Sequence, residues 1–247
     1  MKQRLDKELA RLGLVTTRSQ AENLIRLGKV MVNGQVVTKA GTMINTLDVV
    51  KVVDEVRYVS RAGLKLASVA ADFALDFKDR TVLDVGSSTG GFTDFALQNG
   101  AKKVIAVDVG TDQLHPSLRT NAAIELHEKT DIRDFYLEDK PDIIVMDVSF
   151  ISLRQILPHI AAHLAGRQTQ IVAMMKPQFE AQPKDVNKGV IKNKTIRRHI
   201  IQQFERWLAG SFIIQAKQDS AVAGARGNQE RFYVLRVCQK KSWPIDN

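Results

Sequence analysis

Four short apolar runs, each ending in a polar or ionisable residue or in glycines, limit the fold of this chain more than any other feature. Thr81-Val82-Leu83-Asp84-Val85 runs into glycines, Lys103-Val104-Ile105-Ala106-Val107 into Asp108, Ile143-Ile144-Val145-Met146 into Asp147, and Gln170-Ile171-Val172-Ala173-Met174-Met175 into Lys176. Nearly continuous apolar runs of this length belong to strands buried on both faces of a parallel sheet, alternating with the helices that cover it. In an open α/β sheet, ligands bind outside the carboxyl ends of the strands. The glycines after Val85, and Asp108, Asp147 and Lys176, are therefore site candidates by position alone.

The first sixty residues follow another pattern. Two short helices are expected to carry Leu5, Leu9, Leu12 and then Ala21, Leu24, Ile25. Short strands follow around Val30 to Val32 and Val36-Val37, joined by an Asn33-Gly34 hairpin turn. A third β-like run, Leu47 to Val53, precedes the charged stretch Asp54-Glu55-Val56-Arg57, which places the domain boundary there: residues 1–56 and 57–247. With 247 residues, 44% of them hydrophobic, the chain can build a small domain and a large one, each with a core.

A formal charge of +9 points to a polyanionic partner, either nucleic acid or an anionic membrane surface. The first residues carry charges where a signal peptide needs its apolar core, and no stretch approaches the roughly 20 apolar residues of a membrane span, so a cytoplasmic location is expected. One cysteine, Cys238, excludes an internal disulfide; it sits in an apolar run and is expected to be a buried thiol. Pro183 to Arg198 is the nearest thing to a charged linker, its Lys184 to Arg198 part reading as an RNA-facing loop or as a solvated loop and helix end, and Ile196 to Leu208 reads as a helix that covers the sheet.

The turn Asp84-Val85-Gly86-Ser87-Ser88-Thr89-Gly90-Gly91-Phe92 places glycines between a strand and a helix, where missing side chains let backbone approach a ligand. The spacing is not the G-x-G-x-x-G of a dinucleotide fold, and no Walker lysine follows. Asp84 in that strand and Asp108 at the end of the next suit a ligand with an amino-acid tail and an unphosphorylated ribose, whose hydroxyls Asp108 would accept. That combination points to S-adenosylmethionine. Asp131, after a third strand, has two readings: acceptor for the adenine amino group, or N-cap of a helix.

Methylating a ribose hydroxyl means removing a proton from a poor acid as the methyl group moves, so the site needs a base or positive charge beside the developing alkoxide. A lysine amine serves as base when a second cation and partial burial lower its pKa, with a carboxylate to orient it. Lys176 and Asp147 end adjacent strands, Lys65 lies on the helix before the first strand, and Glu230 opens the last strand. Taken singly, each is a type normally found at the surface. Together they supply the groups that this chemistry requires.

With these residues in hand, the chain resembles the TlyA family of S4-domain RNA 2′-O-methyltransferases, often labelled hemolysin-like, whose catalytic domain is similar to that of the FtsJ-type ribosomal RNA methyltransferases. The resemblance runs over nearly the whole length. It is carried by Ser60-Arg61-Ala62-Gly63-Leu64-Lys65-Leu66, Asp84 through Thr93, Asp108-Val109-Gly110, Asp147 through Leu153, Lys176-Pro177-Gln178-Phe179-Glu180 and Gly227-Asn228-Gln229-Glu230. It implies a Rossmann-like α/β domain with a seven-stranded mixed sheet, S-adenosylmethionine over the strand ends, and a small N-terminal α+β S4 domain. It also implies a catalytic tetrad of Lys65, Asp147, Lys176 and Glu230, in which Lys176 is the base, and a cofactor surrounded by Gly86, Ser88, Gly90, Phe92, Asp108 and Asp131. The expected substrate is cytidine in ribosomal RNA within ribosomal subunits; no metal site is expected. Ser87-Ser88-Thr89 and Phe92 depart from the alanine- and proline-containing turn and the tryptophan of the broader FtsJ-type pattern, and agree with the TlyA branch.

In the N-terminal region Arg4, Lys7, Arg18, Ser19, Lys29 and Asn33 are the expected RNA contacts. They put cations, helix-start donors and a turn on one surface suited to the phosphates of folded RNA. Aromatic residues are nearly absent there, which disfavours stacking on splayed bases. Three other classes share part of this pattern: a membrane-active hemolysin, a non-catalytic RNA-binding protein that retains the fold, and an NAD-dependent oxidoreductase. The first lacks spans and a strongly amphipathic basic helix. The second is disfavoured by the retained tetrad and Asp108, the third by the glycine spacing and the lysines.

Overall fold

The computed structural model describes residues 2–15, 17–53, 58–224 and 227–238. The expected boundary at 56/57 lies outside them. Strand β1 (Lys2–Arg4) runs directly into helix α1 (Leu5–Arg11), followed by α2 (Arg18–Arg26), β2 (Val30–Val32), β3 (Gln35–Val36), β4 (Met43–Asn45) and β5 (Val50–Val52). Leu5, Leu9, Val15, Ala21, Ile25, Val30 and Ile44 form the core of this unit. The order β3-β2-β5 makes an antiparallel sheet, and β1 pairs with β4 in a second, two-stranded one. Asn33 (φ 51°) and Gly34 (φ 81°) are both left-handed, as a two-residue primed hairpin turn requires. The third β-like run is shorter than expected: Leu47 and Val49 are exposed and only Val50–Val52 pair. Leu12 is likewise exposed, and β1 and β4 carry no alternating pattern long enough to announce them.

Beyond Tyr58 the chain alternates strand and helix: α3 (Arg61–Ala70), β6 (Thr81–Val85), α4 (Gly91–Gln98), β7 (Lys103–Val107), α5 (Pro116–Arg119), β8 (Ile124–His127), β9 (Ile143–Met146), α6 (Leu153–His159), β10 (Gln170–Met175), α7 (Pro177–Glu180), α8 (Lys194–Leu208), β11 (Phe212–Asp219) and β12 (Arg231–Val237). The sheet has seven strands in the order β11-β12-β10-β9-β6-β7-β8. β6 to β10 are parallel and β12 is antiparallel to both its neighbours, so the expected mixed sheet is present. Alternation sends Leu83, Val85, Ile144 and Met146 to a core shared with α6 and α8, and Val82, Ile143 and Val145 to one shared with α3 and α4.

The chain builds outward from β6 through β7 to β8, then crosses back to place β9 on the other side of β6. The crossing leaves a crevice between the carboxyl ends of β6 and β9, the point where such sheets hold ligands. Two expectations are corrected elsewhere. Pro183 to Arg198 is not a linker: Ile191 is buried, Asn228 donates to the Gly189 carbonyl (2.8 Å) and accepts from the Ile191 amide (3.0 Å), and α8 begins at Lys194 behind an Asn193 cap. Cys238 lies just past β12 and is half-buried, because the pairing that would cover it ends at Val237. Ile196 to Leu208 is, as expected, helical and packs on the sheet. Among the described residues no helix is long and apolar enough to cross a membrane.

Candidate active site

The turns after β6 and β9 face each other across the crevice and bound two adjoining cavities. The smaller, about 130 Å³, is lined by Ala62, Asp84, Ser87, Thr89, Phe92 and Lys176. The larger, about 420 Å³, lies among Val107, Asp108, Val109, Ile132, Val148 and Ile156. Gly86, Ser88, Asp147 and Ser149 line both. A small chamber that holds Asp84, Asp147 and Lys176 thus adjoins a larger one with mainly apolar walls, an arrangement suited to an amino-acid tail joined to an adenosine.

Asp84 is the most informative residue of the small chamber. Its carboxylate is fully buried; Oδ2 accepts from the Thr93 hydroxyl at 2.7 Å, while Oδ1 has no partner. Burial pushes its carboxyl up to about 7, against the Thr93 bond that pulls it down. A buried oxygen aimed at a cavity and left without a donor calls for one, and an ammonium group supplies both the donor and the charge. Asp108 ends β7 with each oxygen already held by a backbone amide, from Ser88 (2.8 Å) and Gly110 (2.7 Å). A carboxylate oxygen accepts more than one bond, so this fixed group keeps acceptor capacity for two hydroxyls. The residues present therefore fit S-adenosylmethionine.

The other candidates divide between the cavity walls and the packing around them. Gly86 needs its left-handed φ of 78° and lines both cavities. Gly90 is left-handed too, but a Cβ there would meet Leu118 Cδ1 at 2.5 Å, so its missing side chain admits the α5 region and not a ligand. Phe92 is 2% exposed and packs on Phe232, touching the small cavity from within the core. For Asp131 the N-cap reading describes the geometry: Oδ1 accepts from the Arg133 amide at 2.9 Å, and the Arg133 guanidinium engages both oxygens at 3.0 and 2.6 Å. That hydrogen-bonded arginine holds its carboxyl below the usual range. Asp131 also lines the large cavity, so the cap and a further accepted bond are compatible in one carboxylate.

The four tetrad residues form two ion pairs. Lys176 Nζ lies 2.7 Å from Asp147 Oδ1 and Lys65 Nζ 2.6 Å from Glu230 Oε2. Neither carboxylate oxygen meets hydrogen-bond geometry in these contacts, so charge and proximity define them, not directed bonds. Lys65, Lys176 and Glu230 are each less than a tenth exposed. Strand register joins the pairs: Met175 is opposite Arg231 on β10 and β12, which sets Lys176 and Glu230 one residue beyond the last rung of the ladder, on the β9 side of which Asp147 ends its strand.

Two residues with no expectation attached belong to this site. Ser149 accepts from Lys176 Nζ at 2.6 Å and lines both cavities. Phe150 is 93% exposed at a left-handed φ of 65°, with its ring 5.4 Å from that of Phe179. The signal available in the sequence was their place immediately after Asp147. On the N-terminal unit, Arg4 and Arg18 both bind the fully buried Asp6 carboxylate, Arg4 through two bonds of 3.0 and 2.8 Å and Arg18 through one of 2.9 Å. The hydrogen bond from Arg4 holds the Asp6 carboxyl down at about 2. Lys7 and Ser19 are exposed and Lys29 is half-buried. Asn33 serves the fold itself, its amide bridging Asp48 and the Val49 backbone.

The FtsJ-like methyltransferase family matches residues 58–237 and the S4 domain family residues 3–50. A Mycobacterium tuberculosis protein named 16S/23S rRNA (cytidine-2′-O)-methyltransferase TlyA is 36% identical over 95% of this chain and 90% of its own. A Campylobacter jejuni protein named 23S rRNA (cytidine-2′-O)-methyltransferase TlyA is 44% identical over 71% of this chain and 70% of its own. Hemolysin A of Brachyspira hyodysenteriae is 39% identical over 92% and 97%. Among solved structures, a Streptococcus thermophilus protein described as a hemolysin superposes with a TM-score of 0.73 at 36% identity, covering 99% of this chain and 91% of that one.

Proposed function

This chain belongs to the FtsJ-like methyltransferase family and carries an S4 domain, and from that membership we propose that it methylates a ribose 2′-hydroxyl of ribosomal RNA. The observation that carries this reading is Lys176: a buried amine, 2.7 Å from Asp147 and 2.6 Å from Ser149, at the wall of the chamber that adjoins Asp84. S-adenosylmethionine supplies an electrophilic methyl group on a sulfonium when bound. Asp84 would hold the ammonium of its amino-acid tail and Asp108 the ribose hydroxyls, and Val109, Ile132, Val148 and Ile156, which line the large cavity, would enclose the adenine.

The protein's own groups deal with the proton and the charge of the target hydroxyl. Lys176, after giving up its own ammonium proton to solvent, takes the proton from the 2′-oxygen and holds it as an ammonium again, which Asp147 and Ser149 keep in place beside the reacting atom. Lys65 and Glu230 flank it as a neutral pair and complete the electrostatic frame. Phe150 presents an aromatic face beside Asp147 on which the base of a target nucleotide stacks. The S4 domain, through Arg4, Lys7, Arg18 and Lys29, takes phosphates of folded RNA in ribosomal subunits, and the work is done in the cytoplasm. Cytidine is the target nucleoside by kinship with the two named rRNA (cytidine-2′-O)-methyltransferases.

Labelled S-adenosylmethionine, unmodified ribosomal subunits, and the wild-type protein beside Lys176→Ala test the reading, with the modified nucleotide then mapped. Label on a ribose that vanishes in the variant is expected. Label on a base overturns the ribose assignment, and no label on either subunit, with cofactor binding confirmed, overturns the ribosomal substrate.

A further inference from the structure

The two turns that carry the catalytic groups are fastened together at three points. Asp147 and Ser149 meet Lys176; the Phe150 ring meets Phe179; and Ser152 and Leu153 meet Glu180. The third is the farthest from the chemistry and the most fully made. Glu180 ends α7, its side chain is 1% exposed, and it lines neither cavity. Oε1 accepts from the Leu153 amide at 2.7 Å, Oε2 accepts from the Ser152 hydroxyl at 2.6 Å, and the Arg154 guanidinium lies 3.3 Å from Oε2. The same Ser152 oxygen caps α6 by accepting from the Arg154 amide, so one carboxylate fixes the start of that helix from outside it.

Between this anchor and Asp147 lie only Val148, Ser149, Phe150 and Ile151, and Phe150 holds a left-handed backbone that a bulky residue adopts only where its surroundings force it. Release of the Ser152–Leu153 end leaves such a turn free to relax, which moves Ser149 away from Lys176 and the Phe150 ring away from Phe179. We infer that Glu180 is a positioning residue for methyl transfer: it clasps the turn after β9 to the turn after β10 and thereby sets Phe150 and Ser149 relative to Lys176. The inference deepens the function proposed above and rests on it for its kinetic consequence.

Two measurements on the full chain test it, using Glu180→Ala and Glu180→Gln. Backbone amide exchange is expected to quicken across 148–153 in Glu180→Ala and to stay unchanged across 84–93. The same variant is expected to lose about a hundredfold in kcat on RNA, the scale of a misplacement near 1 Å, with a much smaller rise in cofactor Kd, because Val148 of the same turn lines the large cavity. Glu180→Gln, which still accepts from Leu153, is expected to recover most of the rate. A double-mutant cycle with Phe150→Ala should show non-additive losses in kcat. Unchanged exchange in 148–153, equal loss of cofactor affinity, or additive losses would each overturn the clasp. Should the wild-type protein transfer no methyl to RNA, the function proposed above fails, and the exchange measurement still decides the clasp.

Discussion

Lys176 donates to Ser149, lies 2.7 Å from Asp147 and lines the small chamber, and in the proposed reaction it acts on the proton of the target hydroxyl. Lys176→Ala is therefore expected to lower kcat by about a thousandfold or more, with cofactor Kd within a factor of about two, read by single-turnover transfer beside equilibrium binding. Asp84 behaves oppositely. Its carboxyl stands near 7 in the folded protein against about 4 in an unfolded chain, so between those values the folded state holds the extra proton and stability falls as pH rises. Above pH 7 the cost is fully developed and of the order of a few kcal/mol. Asp84→Asn should thus raise the melting temperature of the ligand-free protein at pH 8, with the gain shrinking by pH 5. At pH 8 it should also weaken cofactor binding roughly tenfold or more, because a charged hydrogen bond is lost. A melting temperature unmoved at both pH values would show that Asp84 is not strained by its burial.

At the scale of elements, the strands that mattered were legible because burial on both faces leaves uninterrupted apolar runs, and their last residues locate the site. The tetrad was legible for the same reason: three of its members stand at strand ends. What escaped the sequence depended on partners distant in the chain. β1 is three residues whose pairing with β4 has no local signal, and the clasp of the Arg133 guanidinium on Asp131 shows only in the structure. Gly90 reads as part of a ligand cradle, whereas the space beside it is filled by Leu114 and Leu118. Gly90→Ala should consequently cost about 1–3 kcal/mol of stability, measured by denaturant unfolding, through its left-handed φ and the clash with Leu118. Removal of residues 1–56 should leave a folded domain with unchanged cofactor affinity and poor turnover on RNA. Wild-type turnover by that fragment would remove the S4 domain from substrate recognition.

The whole molecule carries a formal charge of +9, and its substrate is a polyanion. Affinity for RNA should fall steeply and linearly on a log–log plot against salt, with a slope reduced by about one for each phosphate-binding lysine or arginine replaced. A flat response would move the source of affinity away from phosphate contacts. Turnover also requires the spent cofactor to leave. The orphaned oxygen of Asp84 answers to an ammonium that methyl transfer leaves untouched, so this anchor cannot tell a loaded cofactor from a demethylated one. With Asp84 placed as proposed, preference between the two would arise where the sulfonium charge sits. The ratio of the two dissociation constants should accordingly survive Asp84→Asn unchanged even as both rise together.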